Sequence, residues 1–196
     1  MTQKIYSLLC SQDNELATIY KQYGSPPKWQ REPGFATLIH IILEQQVSLA
    51  SAKAAFDKLQ NDTEVTPENI LKLDEEKLKT FGFSRQKIRY TKALAKAIIE
   101  GSLELEKLHT QDDEPIRAEL IKLLGIGNWT IDIYLLMALN RPDILPVGDL
   151  ALRIAVKEVK GLKAQPTFEE LETLAKPWKP YRSYATKLLW HYYLSR

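Results

Sequence analysis

Apolar residues recur along this chain at three- and four-residue intervals, the spacing of helices that turn one face to a core. Residues 35–59 carry Phe35, Leu38, Ile39, Ile42 and Leu43, then Ala50, Ala54, Ala55 and Leu59, which predicts two helices interrupted at 45–48. Start and stop signals frame further helices. Thr66-Pro67-Glu68 joins a capping hydroxyl, a proline at the first helical position and an acid in the first turn. Asp74 is placed to cap a short helix ending at Phe81-Gly82. Ser84 opens a longer one, with Ile88, Thr91, Leu94, Ala95 and Ile98 on one face and Gly101 as its stop. Pro115 predicts a helix start that runs to Leu124, and further helices are predicted over 129–139 and from Asp149 to 159. Thr167 and Glu170 form a capping box, and a last helix is predicted over 181–193. Period-two alternation is nearly absent, so the expectation is an all-α protein of about ten helices.

Composition narrows the class. A fold of 196 residues buries roughly 70% of the surface its unfolded chain exposes, enough to stand without a disulfide or a metal. The single cysteine, Cys10, excludes an internal disulfide, a four-cysteine zinc site and a thiolate-held iron–sulfur cluster, and agrees with a reducing, intracellular setting. The opening MTQKIYSLLCSQDNE lacks the apolar core of a signal peptide, and no apolar run reaches the ~18 residues of a membrane span. The expectation is a protein without a membrane partner. With 27 basic and 25 acidic residues the net charge is +2, so a nucleic-acid surface requires local segregation of charge. The acidic stretches 74–76 and 112–114 are candidates for the opposite surface.

The most informative local pattern is Leu124-Gly125-Ile126-Gly127 between two predicted helices. Two glycines around one aliphatic residue make a sharp turn that another chain can approach closely. Ile126 would plug the turn onto the helices below. The amides of Gly125, Gly127 and Asn128 would then face outward at a helix N-terminus, where a phosphate is favoured. By itself the spacing fits an ordinary helix–helix turn better than a phosphate site. Further along, Gly148-Asp149 ends a Pro/Gly-rich loop before a new helix, a position equally suited to a capping aspartate.

The segments LLGIGNWTIDIYLLMAL and RPDILPVGDLALRIAV resemble the helix-hairpin-helix, Gly/Pro-rich loop and aspartate of the DNA glycosylase superfamily, and most closely its 3-methyladenine branch, which excises alkylated purines. The resemblance extends to HIILEQQVSLASAKAA, FGFSRQKIRYTKALA and WKPYRSYATKLLW, in the family's order, and covers most of residues 35–190. It implies that Gly125, Ile126, Gly127, Asn128 and Thr130 hold the DNA backbone, and that Asp149 is the family's essential aspartate. A carboxylate suits that role, because loss of a base leaves positive charge on the sugar, which an anion stabilises while it orients the attacking water. No cofactor and no metal are needed. The rival acids Asp143 and Asp132 read as a turn residue and a complement to a helix dipole.

In the superfamily's bifunctional members a lysine two residues after the second hairpin glycine attacks the sugar. Here that position is Trp129, whose indole is no amine nucleophile. Hydrolysis to an abasic site, without strand cleavage, is expected. An extruded alkylpurine is electron-poor or cationic and is attracted by aromatic faces. The resemblance puts Trp129 and Trp190 at pocket positions, with Ile133 and neighbouring Tyr134 where the branch can carry a further aromatic; Trp29, Trp178 and Tyr181 are reserves. Gln45 and Gln46 fall in the loop that fills the gap left by the flipped base, Gln46 matching the wedge. Ser84, Arg85 and Lys87 supply a basic helix start for phosphates. The partner is double-stranded DNA with a damaged base, met by a monomer. Two lobes are expected, residues 35–140 with the hairpin and 1–34 with 141–196, with no N-terminal β domain. Another lesion, such as uracil, hypoxanthine or mismatched adenine, is an alternative. So is a module that binds DNA without chemistry; base release separates the two.

Overall fold

The computed structural model describes residues 2–196. They form thirteen α-helices and one 3-10 turn, and among the described residues there is no strand. The chain divides into two compact units. One takes residues up to Gln30 together with Leu135–Arg196, and the other is Arg31–Tyr134.

In chain order, α1 (Thr2–Gln12) and α2 (Asn14–Tyr23) open the first unit. The Arg31–Tyr134 unit then holds α3 (Phe35–Glu44), α4 (Leu49–Asp62), α5 (Pro67–Lys72), α6 (Glu75–Thr80), α7 (Arg85–Ile99), the single-turn α8 (Leu105–Leu108) and α9 (Asp113–Leu120). Helix α10 (Asn128–Met137) begins in this unit and ends in the first. The first unit is completed by α11 (Leu150–Val159), α12 (Phe168–Leu174), the 3-10 turn Lys176–Trp178 and α13 (Arg182–Ser195).

The caps act as the local chemistry predicts. Thr66, Asp74 and Ser84 accept N–H bonds at the starts of α5, α6 and α7, and Thr167 and Glu170 satisfy each other's backbone in a capping box. Helix α9 differs at both ends, stopping at Leu120 rather than running on to Leu124. Helix α9 begins after Asp112, so Pro115 lies within its first turn rather than at its start. Proline is tolerated there because first-turn amides have no intrahelical acceptor. Both acidic stretches prove to be helix N-termini, where they complement the dipole. The count exceeds ten because α1, α2 and the single-turn α8 lie outside the ten helices that the sequence signals predict.

In the Arg31–Tyr134 unit, α7 packs on α3, α5 and α6, and α3 on α4. Leu38, Ile39, Ile41, Ile42, Leu59, Ile70, Leu78 and Ile88 make its apolar centre. Tyr134 belongs to that core. Its hydroxyl accepts the Gly34 N–H at 2.9 Å and lies 2.7 Å from His109 Nε2, and burial pushes its pKa up to about 12.

In the other unit α13 packs on α1, α2 and α11. Asp13, the cap of α2, is also the centre of a buried polar knot. Its Oδ1 accepts from Glu15 N and Leu16 N, while Oδ2 accepts from Lys160 Nζ at 2.8 Å and Trp178 Nε1 at 2.7 Å. Burial alone would raise the carboxyl's pKa, but the Lys160 and Trp178 hydrogen bonds outweigh it and hold it below the ordinary value of 3.8. The stabilisation is therefore complete above that value and is lost as pH falls through the lower, folded-state pKa. Asp13→Asn is expected to destabilise the protein by about 2 kcal/mol at neutral pH. Chemical unfolding of both proteins should show the gap narrowing below the ordinary aspartate value; a gap constant into acid would contradict the role of charge.

Candidate active site

The hairpin runs from the end of α9 to α10. Gly125 adopts φ 82°, a left-handed conformation, and Ile126 is buried beneath the turn, with its N–H on Leu123 O at 3.1 Å. Gly127 and Asn128 are exposed, and the Gly127 carbonyl accepts from Ile131 N, so the first-turn amides of α10 have no intrahelical acceptors. The turn thus has the sharp bend and open backbone expected from the two glycines. Beneath it stands a residue that sequence reasoning missed. Tyr90 of α7 presses its ring on Gly125, where any Cβ would collide with it, and Gln86 Nε2 holds the Tyr90 hydroxyl. Only tertiary packing reveals this, since the two positions are far apart in the chain.

Several expected DNA contacts have duties within the fold. Thr130 is buried, and its Oγ1 accepts from Gln45 Nε2 at 2.9 Å; the same Nε2 donates to Gly125 O at 2.9 Å. Lys87 Nζ donates to Leu43 O at 2.6 Å, closing the C-terminal end of α3, and burial lowers its pKa. Ser84 Oγ caps α7, whereas Arg85 is exposed. Gln46 is exposed with φ 58°, one of two non-glycine residues at positive φ among the described residues.

In the other unit Asp149 caps α11. Its Oδ1 accepts Leu152 N–H at 2.8 Å and Trp190 Nε1–H at 2.9 Å, and only 9% of the residue is exposed. Two N–H dipoles and the positive end of α11 thus meet a largely enclosed carboxylate. The indole of Trp190 is committed through its N–H to this aspartate, and its ring meets Trp29 edge-on, centroids 6.2 Å apart. Trp29, a reserve on sequence grounds, therefore lies beside the aspartate's partner. Trp178 does not: it is fully buried on Asp13.

Helix α13 also steadies the loop that leads to Asp149. Arg182 makes a two-pronged ion pair with Asp143, both oxygens at 2.8 Å, and its Nη2 reaches the Asp143 carbonyl. Ser183 Oγ donates to Arg141 O and accepts from Ile144 N. Asp143 is thus tied up in structure, and Asp132 is buried in a pair with Arg117. Trp129 stands half-exposed in the first turn of α10, while Ile133 and Tyr134 are buried. Their burial gives both a packing role, and the Tyr134 hydroxyl is already shared between Gly34 and His109. Among the described residues no cluster of three metal-ligating side chains occurs, and no helix is long and apolar enough to cross a membrane.

Residues 39–180 match the family described as HhH-GPD superfamily base excision DNA repair protein. The chain belongs to this superfamily. It is 32% identical over 184 residues to the putative DNA-3-methyladenine glycosylase YfjP of Bacillus subtilis, a match covering 89% of this chain and 64% of that protein. It is 33% identical over 194 residues to the alkylbase DNA glycosidase-like protein mag2 of Schizosaccharomyces pombe, covering 93% of this chain and 89% of the relative. The chain thus spans just under two thirds of YfjP and most of mag2. The solved structure of Schizosaccharomyces pombe 3-methyladenine DNA glycosylase (Mag1) in complex with abasic DNA aligns with TM-score 0.89 at 28% identity, over 95% of each chain. That agreement is one of fold, the all-helical architecture of the described residues.

The hairpin geometry yields a prediction. Gly125→Ala should cost about 2–4 kcal/mol, from left-handed strain and the clash with Tyr90. In a Tyr90→Ala background the clash vanishes and only the strain remains, so denaturant unfolding should find the two changes non-additive. Simple additivity would show that the Tyr90 ring does not set the turn.

Proposed function

We propose that this chain is a monofunctional DNA glycosylase of base excision repair that hydrolyses the N-glycosidic bond of flipped-out alkylated purines, 3-methyladenine and 7-methylguanine among them. The observation that carries the reading is the carboxylate of Asp149, held by Leu152 N–H and Trp190 Nε1–H in a chain whose relatives bear the names of 3-methyladenine glycosylases. It works inside the cell, on double-stranded DNA, as a monomer.

The hairpin amides bind a backbone phosphate, and Gln46 enters the duplex as the lesion leaves the stack. The damaged base meets aromatic surface, either that of Trp129 or, in the other unit, that of the Trp190–Trp29 pair, and a cationic purine gains roughly 0.5–2 kcal/mol from such faces. As the C–N bond lengthens, positive charge grows on the sugar ring. The Asp149 carboxylate stabilises that charge and directs water to the anomeric carbon; the purine departs with the bonding electrons. Alkylation has already weakened the bond, so a neutral leaving group needs little further acid catalysis. Trp129 occupies the position where a lyase would carry lysine, so no Schiff base forms.

Asp149→Asn keeps an acceptor oxygen for both N–H donors but removes the charge. It should fold and bind DNA, and release methylated purines at least about 100-fold more slowly; wild-type rates in a base-release assay would reject the role of Asp149. Borohydride should trap no covalent complex between the unaltered protein and lesion DNA. A trapped complex would mean that an amine attacks the sugar.

A further inference from the structure

Gln45 stands at the joint of two loops that the proposed glycosylase would press on DNA. Its single amide nitrogen donates at 2.9 Å both to the carbonyl of Gly125, the first hairpin glycine, and to the buried hydroxyl of Thr130 in α10. Eighty residues separate Gln45 from Gly125 in the chain. The α3–α4 loop is fastened at its other positions too. Lys87 Nζ holds the Leu43 carbonyl, Arg31 grips Glu44 through both oxygens at 2.6 and 3.0 Å, and Ser48 caps α4 through Ser51 N. Between these anchors only Gln46 and Val47 project, both exposed, and Gln46 is held at φ 58°. A left-handed residue with a Cβ costs about 1–2 kcal/mol and persists only where its surroundings over-determine it.

We propose that Gln45 is a positioning residue that locks the Gln46 loop to the hairpin, so that the phosphate grip and the wedge meet the duplex as one rigid body. The proposal rests on the glycosylase reading above. A carboxamide suits this position because one nitrogen offers two hydrogens to two acceptors. Methionine has nearly the same length and no donor; glutamate would set a carboxylate against the Gly125 carbonyl. Without the lock the hairpin still binds phosphate, but the wedge no longer has a fixed height above it. The loss therefore falls on extrusion of a paired base rather than on backbone affinity.

The test uses Gln45→Met in single-turnover release of 7-methylguanine from two duplexes, one pairing the lesion with cytosine and one with a mismatched purine, whose extrusion is cheaper. Thermal unfolding and affinity for undamaged duplex are measured alongside. Release from the paired duplex should slow about tenfold or more, since small misplacements carry penalties of that order. Release from the mismatched duplex and affinity for undamaged DNA should change less than about threefold. Thr130→Val removes one of the two acceptors and should show the same contrast to a smaller degree, including if Gln45→Met fails to fold; combined with Gln45→Met it should add nothing. Equal slowing in both duplexes, or none, overturns the positioning role while leaving the glycosylase intact. No release by the unaltered protein removes the glycosylase reading and this role together.

Discussion

A carboxylate that is nine-tenths enclosed persists only where N–H groups meet it, and the arrangement around Asp149 follows from that requirement. One donor comes from its own helix, at Leu152, and the other from the Trp190 indole on α13. The first is inexpensive, because any capping aspartate obtains it. The second requires α13 to lie in register with α11, and the packing of these two helices supplies the register. Arg182 and Ser183, at the start of the same helix, tie down the loop that delivers Asp149. One helix thus fixes both where the aspartate is and how its oxygen points.

The hairpin is governed by the opposite requirement, leaving backbone uncovered. Gly125 takes a left-handed turn with the Tyr90 ring against its α-carbon, and Ile126 plugs the space below. Packing supports the turn from inside while Gly127 and Asn128 remain outside. Side chains that would look like DNA ligands on a linear reading, those of Thr130, Gln45 and Lys87, turn inward to brace this surface. Rigid support beneath exposed amides leaves little to order on binding, which is what the proposed phosphate contact requires.

Much of this was legible in the chain. Helix periods, the caps at Thr66, Asp74, Ser84 and Thr167, the break at 45–48 and the glycine hairpin are local features, set by residues within a few positions of one another. Their physics is short-range, so order along the chain suffices. Asp149 likewise announced itself as a capping residue after a Pro/Gly-rich loop, and family resemblance gave it a chemical role.

Tertiary structure alone decided which polar and aromatic groups work outward and which work inward. Trp178 and Tyr134 read like pocket aromatics, yet one is spent on Asp13 and the other on Gly34 and His109. Trp29, a reserve on the same footing as Trp178, stands against Trp190, and Tyr90, which no sequence signal singled out, stands against Gly125. Composition cannot separate these cases, because an aromatic ring satisfies a core and a binding surface by the same burial. What separates them is the partner its polar atom finds, and that partner lies across 165 residues for Trp178 and 100 for Tyr134. Local sequence therefore determined the helices and their ends, and long-range hydrogen bonding determined the use of the side chains they carry.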